Sequence, residues 1–186
     1  MHLILASASP RRAELLSSAG FVYEVAPANV DESVRDAEAP ETYALRVALD
    51  KARKASLRHP ASVVLAADTV VAIQGEILGK PHDRADAERM LRRLGGATHE
   101  VHTAVVVRRL TAEQSDVVTT RVRFQPLTDA EIAWYVASGE PDGKAGGYAI
   151  QGRGARFIDW IEGSWSNVVG LPIATVYRLL GRMGND

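Results

Sequence analysis

Leu3-Ile4-Leu5-Ala6-Ser7-Ala8-Ser9-Pro10-Arg11-Arg12 reads as a short buried strand, a tight polar turn and the opening of a helix. Ser9 is a good capping type, and Pro10 suits the first helical position, with φ fixed and no N–H to waste. Two arginines follow at the end of the helix that carries partial positive charge. A cation there loses about 0.3–1 kcal/mol relative to a carboxylate unless an anion arrives. Strand, turn, helix and paired guanidiniums describe a phosphate cradle; the plainer alternative is a solvated arginine pair beside a capped helix.

Outward from this unit, strands and helices interleave. Leu3 to Ala6 is the first strand, and Pro10 to about Ala19 is a helix closed by Gly20. Tyr23 to Ala26 gives a second strand, Val30 to Ala39 an acidic loop, and Glu41 to about Arg58 a helix with apolar spacing at Ala44, Val47, Ala48, Ala52 and Ala55. Ser62 to Ala67 is a buried β-branched run; after Asp68-Thr69 the apolar pattern resumes through Ile73 to a Gln74-Gly75 turn and a return strand, Glu76 to Leu78. Asp83 to Leu94 is an amphipathic helix ended by Gly95-Gly96, and Val101 to Arg108 and Val117 to Phe124 are partnered strands. Thr128 and Glu131 form a capping box that opens a helix to Gly139. Residues 139 to 154 are glycine-dense, Phe157 to Ile161 alternates as a strand, and Pro172 to about Leu180 is the last helix. The order predicts an α/β architecture with a mixed sheet, in one domain with room for two lobes.

Composition narrows the function. The chain has 186 residues, 46% hydrophobic and 24% charged, with 22 basic and 23 acidic side chains and a net charge of −1. No overall field draws it to nucleic acid or to an acidic membrane, so an anionic ligand must be small or locally gripped. With no cysteine, thiolate metal sites, disulfides and a cysteine nucleophile are excluded. The N-terminal apolar run is too short for a signal-peptide core and no window approaches a membrane span, so the expected compartment is the cytoplasm.

Asp68 follows Val63-Val64-Leu65-Ala66-Ala67 and precedes more β-branched residues. A carboxylate so placed costs several kcal/mol to desolvate unless it meets a metal, a cation or hydrogen-bond donors. Magnesium or manganese, hard cations that prefer oxygen, would serve; a structural aspartate capping a turn through Thr69 is the other reading. Lys80, in Ile77-Leu78-Gly79-Lys80-Pro81, is a point charge suited to phosphate, although the P-loop spacing is absent. Lys51 lies beside Ala48 and Ala52 on the helical stripe, reaching inward or lying along the surface with its stem buried. His99 and His102 resemble a metal pair, but a three-residue offset on a strand turns them to opposite faces.

Five segments in order, Ala6-Ser7-Ala8-Ser9-Pro10-Arg11-Arg12, Ala67-Asp68-Thr69, Leu78-Gly79-Lys80-Pro81, Lys144 through Gly152, and Gly163-Ser164 through Asn167-Val168-Val169-Gly170-Leu171-Pro172, resemble the Maf family of nucleotide pyrophosphatases nearly end to end. The resemblance implies an elongated α/β fold, similar to that of the ITPases, with two lobes around a central cleft. It implies hydrolysis of nucleoside triphosphates between the α and β phosphates with a divalent cation, Mg2+ or Mn2+. By that similarity Asp68 is the catalytic carboxylate and shares the metal with Glu32. Ser9, Arg11, Arg12, Lys51, Thr69, Lys80 and Gln151 bind the substrate, with Arg11, Thr69 and Gln151 setting its choice. The Ala149-Ile150-Gln151-Gly152 segment looks like the branch acting on dTTP and UTP, and modified pyrimidine nucleotides are further candidates. A non-catalytic nucleotide-binding regulator of cell division and septum formation is the rival expectation. The partner expected is the nucleotide rather than nucleic acid or membrane, with a homodimer open. One departure stands out: members often carry Asp-Lys-Ala-Gly where this chain has Gly143-Lys144-Ala145-Gly146, with Asp142 one residue earlier.

Overall fold

The computed structural model describes residues 2–183. In chain order these form β1 (Leu3–Leu5), α1 (Pro10–Ser18), β2 (Glu24–Val25), α2 (Pro40–Arg58), β3 (Val63–Ile73), β4 (Glu76–Leu78) and α3 (Arg84–Leu94). There follow β5 (Thr98–Arg109), β6 (Ala112–Phe124), α4 (Asp129–Ala137), β7 (Ile158–Glu162), α5 (Trp165–Val169) and α6 (Ile173–Met183), with single 3₁₀ turns at Ala145–Gly147 and Arg153–Phe157. The strands make one mixed sheet in the order β2-β1-β3-β5-β6-β7, with β4 paired to β3. The α/β mixed-sheet expectation holds.

Two compact units divide the chain. The first takes in residues up to Thr69, Thr103–Val118 and the chain from Gly170 on; the second takes in Val70–His102 and Thr119–Val169. In the first, β1 runs parallel to both β2 and β3, with Ile4 opposite Glu24 and Leu3 opposite Val63. Parallel strands need cover on both faces, and accordingly β1 is buried throughout and β3 at every residue but the half-buried Thr69. The predicted stripe on α2, Ala44, Val47, Ala48, Ala52 and Ala55, is fully inaccessible.

The second unit packs around Val71, Leu78, Leu91, Leu94, Phe124 and Phe157. Gln74 and Gly75 both take positive φ, 54° and 78°, the signature of a two-residue type I′ hairpin turn between β3 and β4. Asp83 caps α3 by accepting from the Asp86 N–H at 2.8 Å, and the Thr128–Glu131 capping box is formed as expected.

Some expectations change. The apolar pattern breaks at Asp68-Thr69, yet β3 runs through both without a turn, so Asp68 caps nothing; backbone pairing carries the strand past polar side chains that find other partners. Ser9 has an extended backbone at the N-cap, but its hydroxyl makes no capping bond, and its N–H instead donates to Ser7 Oγ at 3.2 Å. β5 and β6 extend beyond their apolar stretches into Thr98 and Glu113, because ladder hydrogen bonds do not require apolar side chains. α5, only five residues long, is too short for a periodic signal.

Candidate active site

Arg12, in the first turn of α1, is the anchor of the first unit. It is 9% exposed, and its guanidinium spreads over three partners: Nε donates to the Gly170 carbonyl at 2.8 Å, Nη1 to Ser7 Oγ at 3.1 Å and Nη2 to Thr69 Oγ1 at 3.0 Å. Burial lowers its pKa, opposed by the negative field of Asp68, with Arg11 adding repulsion; an arginine remains charged regardless. Thr69 is therefore an acceptor from Arg12, and its oxygen also meets Thr103 Oγ1 at 2.9 Å and the Gly170 carbonyl at 3.3 Å. A guanidinium has five N–H donors, and these bonds engage three of them.

Beside this network lies a charge cluster in which Lys51 and Asp68 are buried and Glu32 is exposed. Lys51 projects inward from α2, with Nζ 2.7 Å from Asp68 Oδ1 and 2.6 Å from Glu32 Oε1. The inward reading of Lys51 is the one realised. The acidic loop that supplies Glu32 is laced to α2: Tyr43 donates to the Glu32 carbonyl at 2.9 Å, Arg46 Nη2 donates to the Ser33 carbonyl at 2.9 Å, and Arg46 Nε grips Glu38 at 2.6 Å. Tyr43, Val47 and Lys51 recur at helical spacing, so one face of α2 both holds the loop and meets its carboxylate. Asp31 is occupied differently, accepting from the Ser33 N–H at 2.9 Å in its own turn. Glu32, not its neighbour, therefore faces the lysine.

Burial raises the Asp68 carboxyl above the usual aspartate range, opposed by Lys51 and Arg12. Tyr43 is pushed up to about 12, by burial first and then by the fields of Asp68 and Glu32. Among the described residues no group of three or more His, Cys, Asp or Glu side chains is placed to hold a metal. The two carboxylates that could face a cation here, Asp68 and Glu32, are both paired to the Lys51 ammonium. Carboxylate oxygens are the donor type that a hard divalent cation would take.

Lys80 and Gln151 belong to the second unit, and both are exposed. The Gly79 carbonyl accepts from the Gly146 N–H at 3.0 Å. Gly146 has φ of 67°, and a β-carbon there would lie 2.9 Å from Val71 Cγ1, so the glycine is required twice over. Gly143, which stands where the family often has aspartate, also has positive φ, and the Lys144 ammonium next to it donates to the Glu140 carbonyl at 2.5 Å. His99 and His102 are spent on structure: His99 Nε2 meets Tyr148 Oη at 2.8 Å, and His102 Nδ1 meets Thr119 Oγ1 at 2.9 Å.

Residues 2–183 match the model of a family described as Maf-like protein. The chain belongs to the Maf family. It is similar to Maf relatives named dTTP/UTP pyrophosphatase: 55% identical to one from Anaeromyxobacter sp., covering 99% of this chain and 90% of the relative, and 50% identical to one from Koribacter versatilis, covering 99% and 95%. A solved HAM1 protein from Coxiella burnetii superposes over all of both chains with a TM-score of 0.51 at 13% identity, a likeness of fold alone. Against the Maf motifs, the structure brings Arg12 together with Thr69, and Lys51 with Glu32 and Asp68, within one unit. Ser7, Tyr43, Thr103 and the Gly170 carbonyl were not singled out from the sequence. Tyr43 alone left a signal, its position two helical turns before Lys51; the others are joined only by the tertiary fold.

Proposed function

We propose that this protein hydrolyses dTTP and UTP to the nucleoside monophosphate and pyrophosphate. The observation that carries the reading is the Asp68 carboxylate, 7% exposed and held by Lys51 beside the Arg12 guanidinium, in a chain about half identical to pyrophosphatases of that specificity. In this reading Asp68 orients a water and takes its proton as the water oxygen bonds to the α-phosphorus. The bond to the bridging oxygen breaks, and pyrophosphate leaves. Lys51 and Arg12 stabilise charge on the phosphate oxygens, positioned in advance so that little reorganisation is needed. Asp68 and Glu32 would hold a Mg2+ or Mn2+ ion, which when bound supplies further neutralisation of the polyphosphate. In the second unit, Gln151 offers a donor and an acceptor suited to a pyrimidine imide edge, and Lys80 a positive charge suited to phosphate.

The test is a panel of nucleoside triphosphates incubated with purified protein and Mg2+ or Mn2+, with monophosphate and pyrophosphate both quantified. Equimolar monophosphate and pyrophosphate, fastest from dTTP and UTP, is the expected result. Orthophosphate with diphosphate would place cleavage at the wrong bond, and binding without any turnover would favour the non-catalytic regulator.

A further inference from the structure

The segment 149–154, which displays Gln151, is pinned by two side chains that lie outside the five segments quoted for the resemblance. Tyr135, fully buried at the end of α4, accepts the Ala149 N–H on its hydroxyl at 3.1 Å and donates that hydroxyl's proton to Glu140 Oε1 at 2.8 Å. The Glu140 carboxylate also accepts the Arg153 N–H at 2.9 Å and the Gly154 N–H at 3.0 Å. One Tyr–Glu pair thus ties down both ends of the segment, leaving Gln151 exposed between them.

The pair is itself held in place. The Tyr135 ring packs edge-on against Phe157 at 5.2 Å, and the Glu140 N–H donates to Ser138 Oγ at 3.2 Å, whose proton goes to the Tyr135 carbonyl at 2.6 Å. Burial alone would raise the Glu140 carboxyl, but the Arg153 and Gly154 amides and the Tyr135 hydroxyl outweigh it and hold the group ionised, below the usual range. Two glycines of the segment fit the clamp and little else. A β-carbon on Gly152 would lie 2.4 Å from Glu140 Oε2, and one on Gly154 would lie 2.7 Å from the Ala149 carbonyl and 2.9 Å from Tyr135 Oη. Glu140, fixed by its hydrogen bonds, is not free to swing aside.

We propose that Tyr135 and Glu140 are positioning residues for base selection: by fixing the backbone of 149–154 they hold the Gln151 amide in the orientation that matches a pyrimidine imide edge. This rests on the dTTP/UTP reading above. A site that discriminates by hydrogen bonds needs its donor and acceptor held in register, since a misaligned amide pairs equally poorly with every base. Neither residue is proposed to touch the reacting atoms.

The test compares kcat/KM for dTTP and dGTP in the wild type, Glu140→Gln, Tyr135→Phe, Gln151→Ala and the Gln151→Ala/Glu140→Gln double variant. Glu140→Gln keeps the side chain's size but turns a donor toward an amide that needs an acceptor. It should lower the dTTP-to-dGTP ratio by about tenfold, through the KM for dTTP more than through kcat. Tyr135→Phe should move the ratio the same way, and amide hydrogen exchange at Arg153 and Gly154 should quicken in Glu140→Gln. In the Gln151→Ala background the Glu140 change should alter the ratio by less than about twofold, because the group it orients is gone. An unchanged ratio in Glu140→Gln, or an undiminished further loss on top of Gln151→Ala, overturns the inference and leaves the pair a merely structural role. If Glu140→Gln does not fold, Tyr135→Phe alone and combined with Gln151→Ala separates the same two outcomes. A wild type that turns over no nucleotide removes the proposed function and this inference with it; normal dTTP turnover with an unmoved ratio removes this inference alone.

Discussion

Lys51 Nζ lies 2.7 Å from Asp68 Oδ1, and each side chain is only 10% exposed. Such a pair is poor evidence for stability, because desolvating both charges offsets most of their attraction. Its presence is easier to understand as a function held ready. Lys51 also contacts Glu32 at 2.6 Å, so two carboxylates share one ammonium and their excess negative charge lies in the field of Arg12. In the proposed reaction an arriving polyphosphate would compete for the lysine, and a metal for the carboxylates.

Asp68→Asn keeps the shape and removes the charge, so it separates chemistry from folding. Turnover should fall by about 100- to 10,000-fold, the usual contribution of a positioned proton acceptor. Pyrophosphate release near the wild-type rate, from a variant shown to be folded by circular dichroism, would remove Asp68 from the catalytic role.

The two acidic neighbours in the loop before α2 should behave oppositely. Glu32 reaches Lys51, whereas Asp31 closes its own turn onto Ser33. Glu32→Gln should raise the Mn2+ concentration needed for half-maximal activity, while Asp31→Asn should leave that concentration where it is in the wild type. Titrating both variants with Mn2+ in the pyrophosphate assay checks this; the same shift in both would mean that the loop supplies only general negative charge.

Arg12→Lys tests whether position 12 needs a fork or merely a cation. The guanidinium satisfies Gly170, Ser7 and Thr69 at once from three nitrogens, a geometry one ammonium cannot reproduce. With two of the three partners left poorly satisfied in a buried place, a loss of about 2–4 kcal/mol in urea unfolding is expected, together with a higher KM for the triphosphate. Unchanged stability would show that the network is looser than its distances imply.

Periodicity carried the fold well wherever a local pattern sufficed. The buried run of β3, the alanine stripe of α2, the hairpin at Gln74-Gly75 and the Thr128 capping box were all readable, since each depends on residues a few positions apart. Asp68 was legible as a charge out of place in an apolar strand. What was not legible depends on the tertiary fold. Nothing near Arg12 indicates that its Nε will find the carbonyl of Gly170, and nothing near Glu140 foretells that it will accept from the amides of Arg153 and Gly154. Ser9 shows the converse: a residue type suited to capping has the extended N-cap backbone but makes no capping bond with its hydroxyl.

His99 should make the fold acid-sensitive well before the carboxylates titrate. It is 1% exposed, edge-on to Phe124 at 5.1 Å and to Tyr148 at 5.4 Å, and burial pushes its pKa down from 6.5 to about 4. Its Nε2 pairs with the Tyr148 hydroxyl, and its Nδ1 is buried with no hydrogen-bond partner among the described residues, so a second ring proton would be both a buried charge and an unpaired donor. The unfolded chain therefore binds this proton more readily than the folded one. Stability from this site is complete above about pH 6.5 and is lost as the pH falls toward 4, a change on the order of 3 kcal/mol. His99→Gln keeps a polar partner for Tyr148 and removes the titration. Urea unfolding at a series of pH values should show the wild-type curve falling through this window and the variant's curve remaining flatter; parallel curves would mean that the imidazole charges as easily inside the fold as outside it.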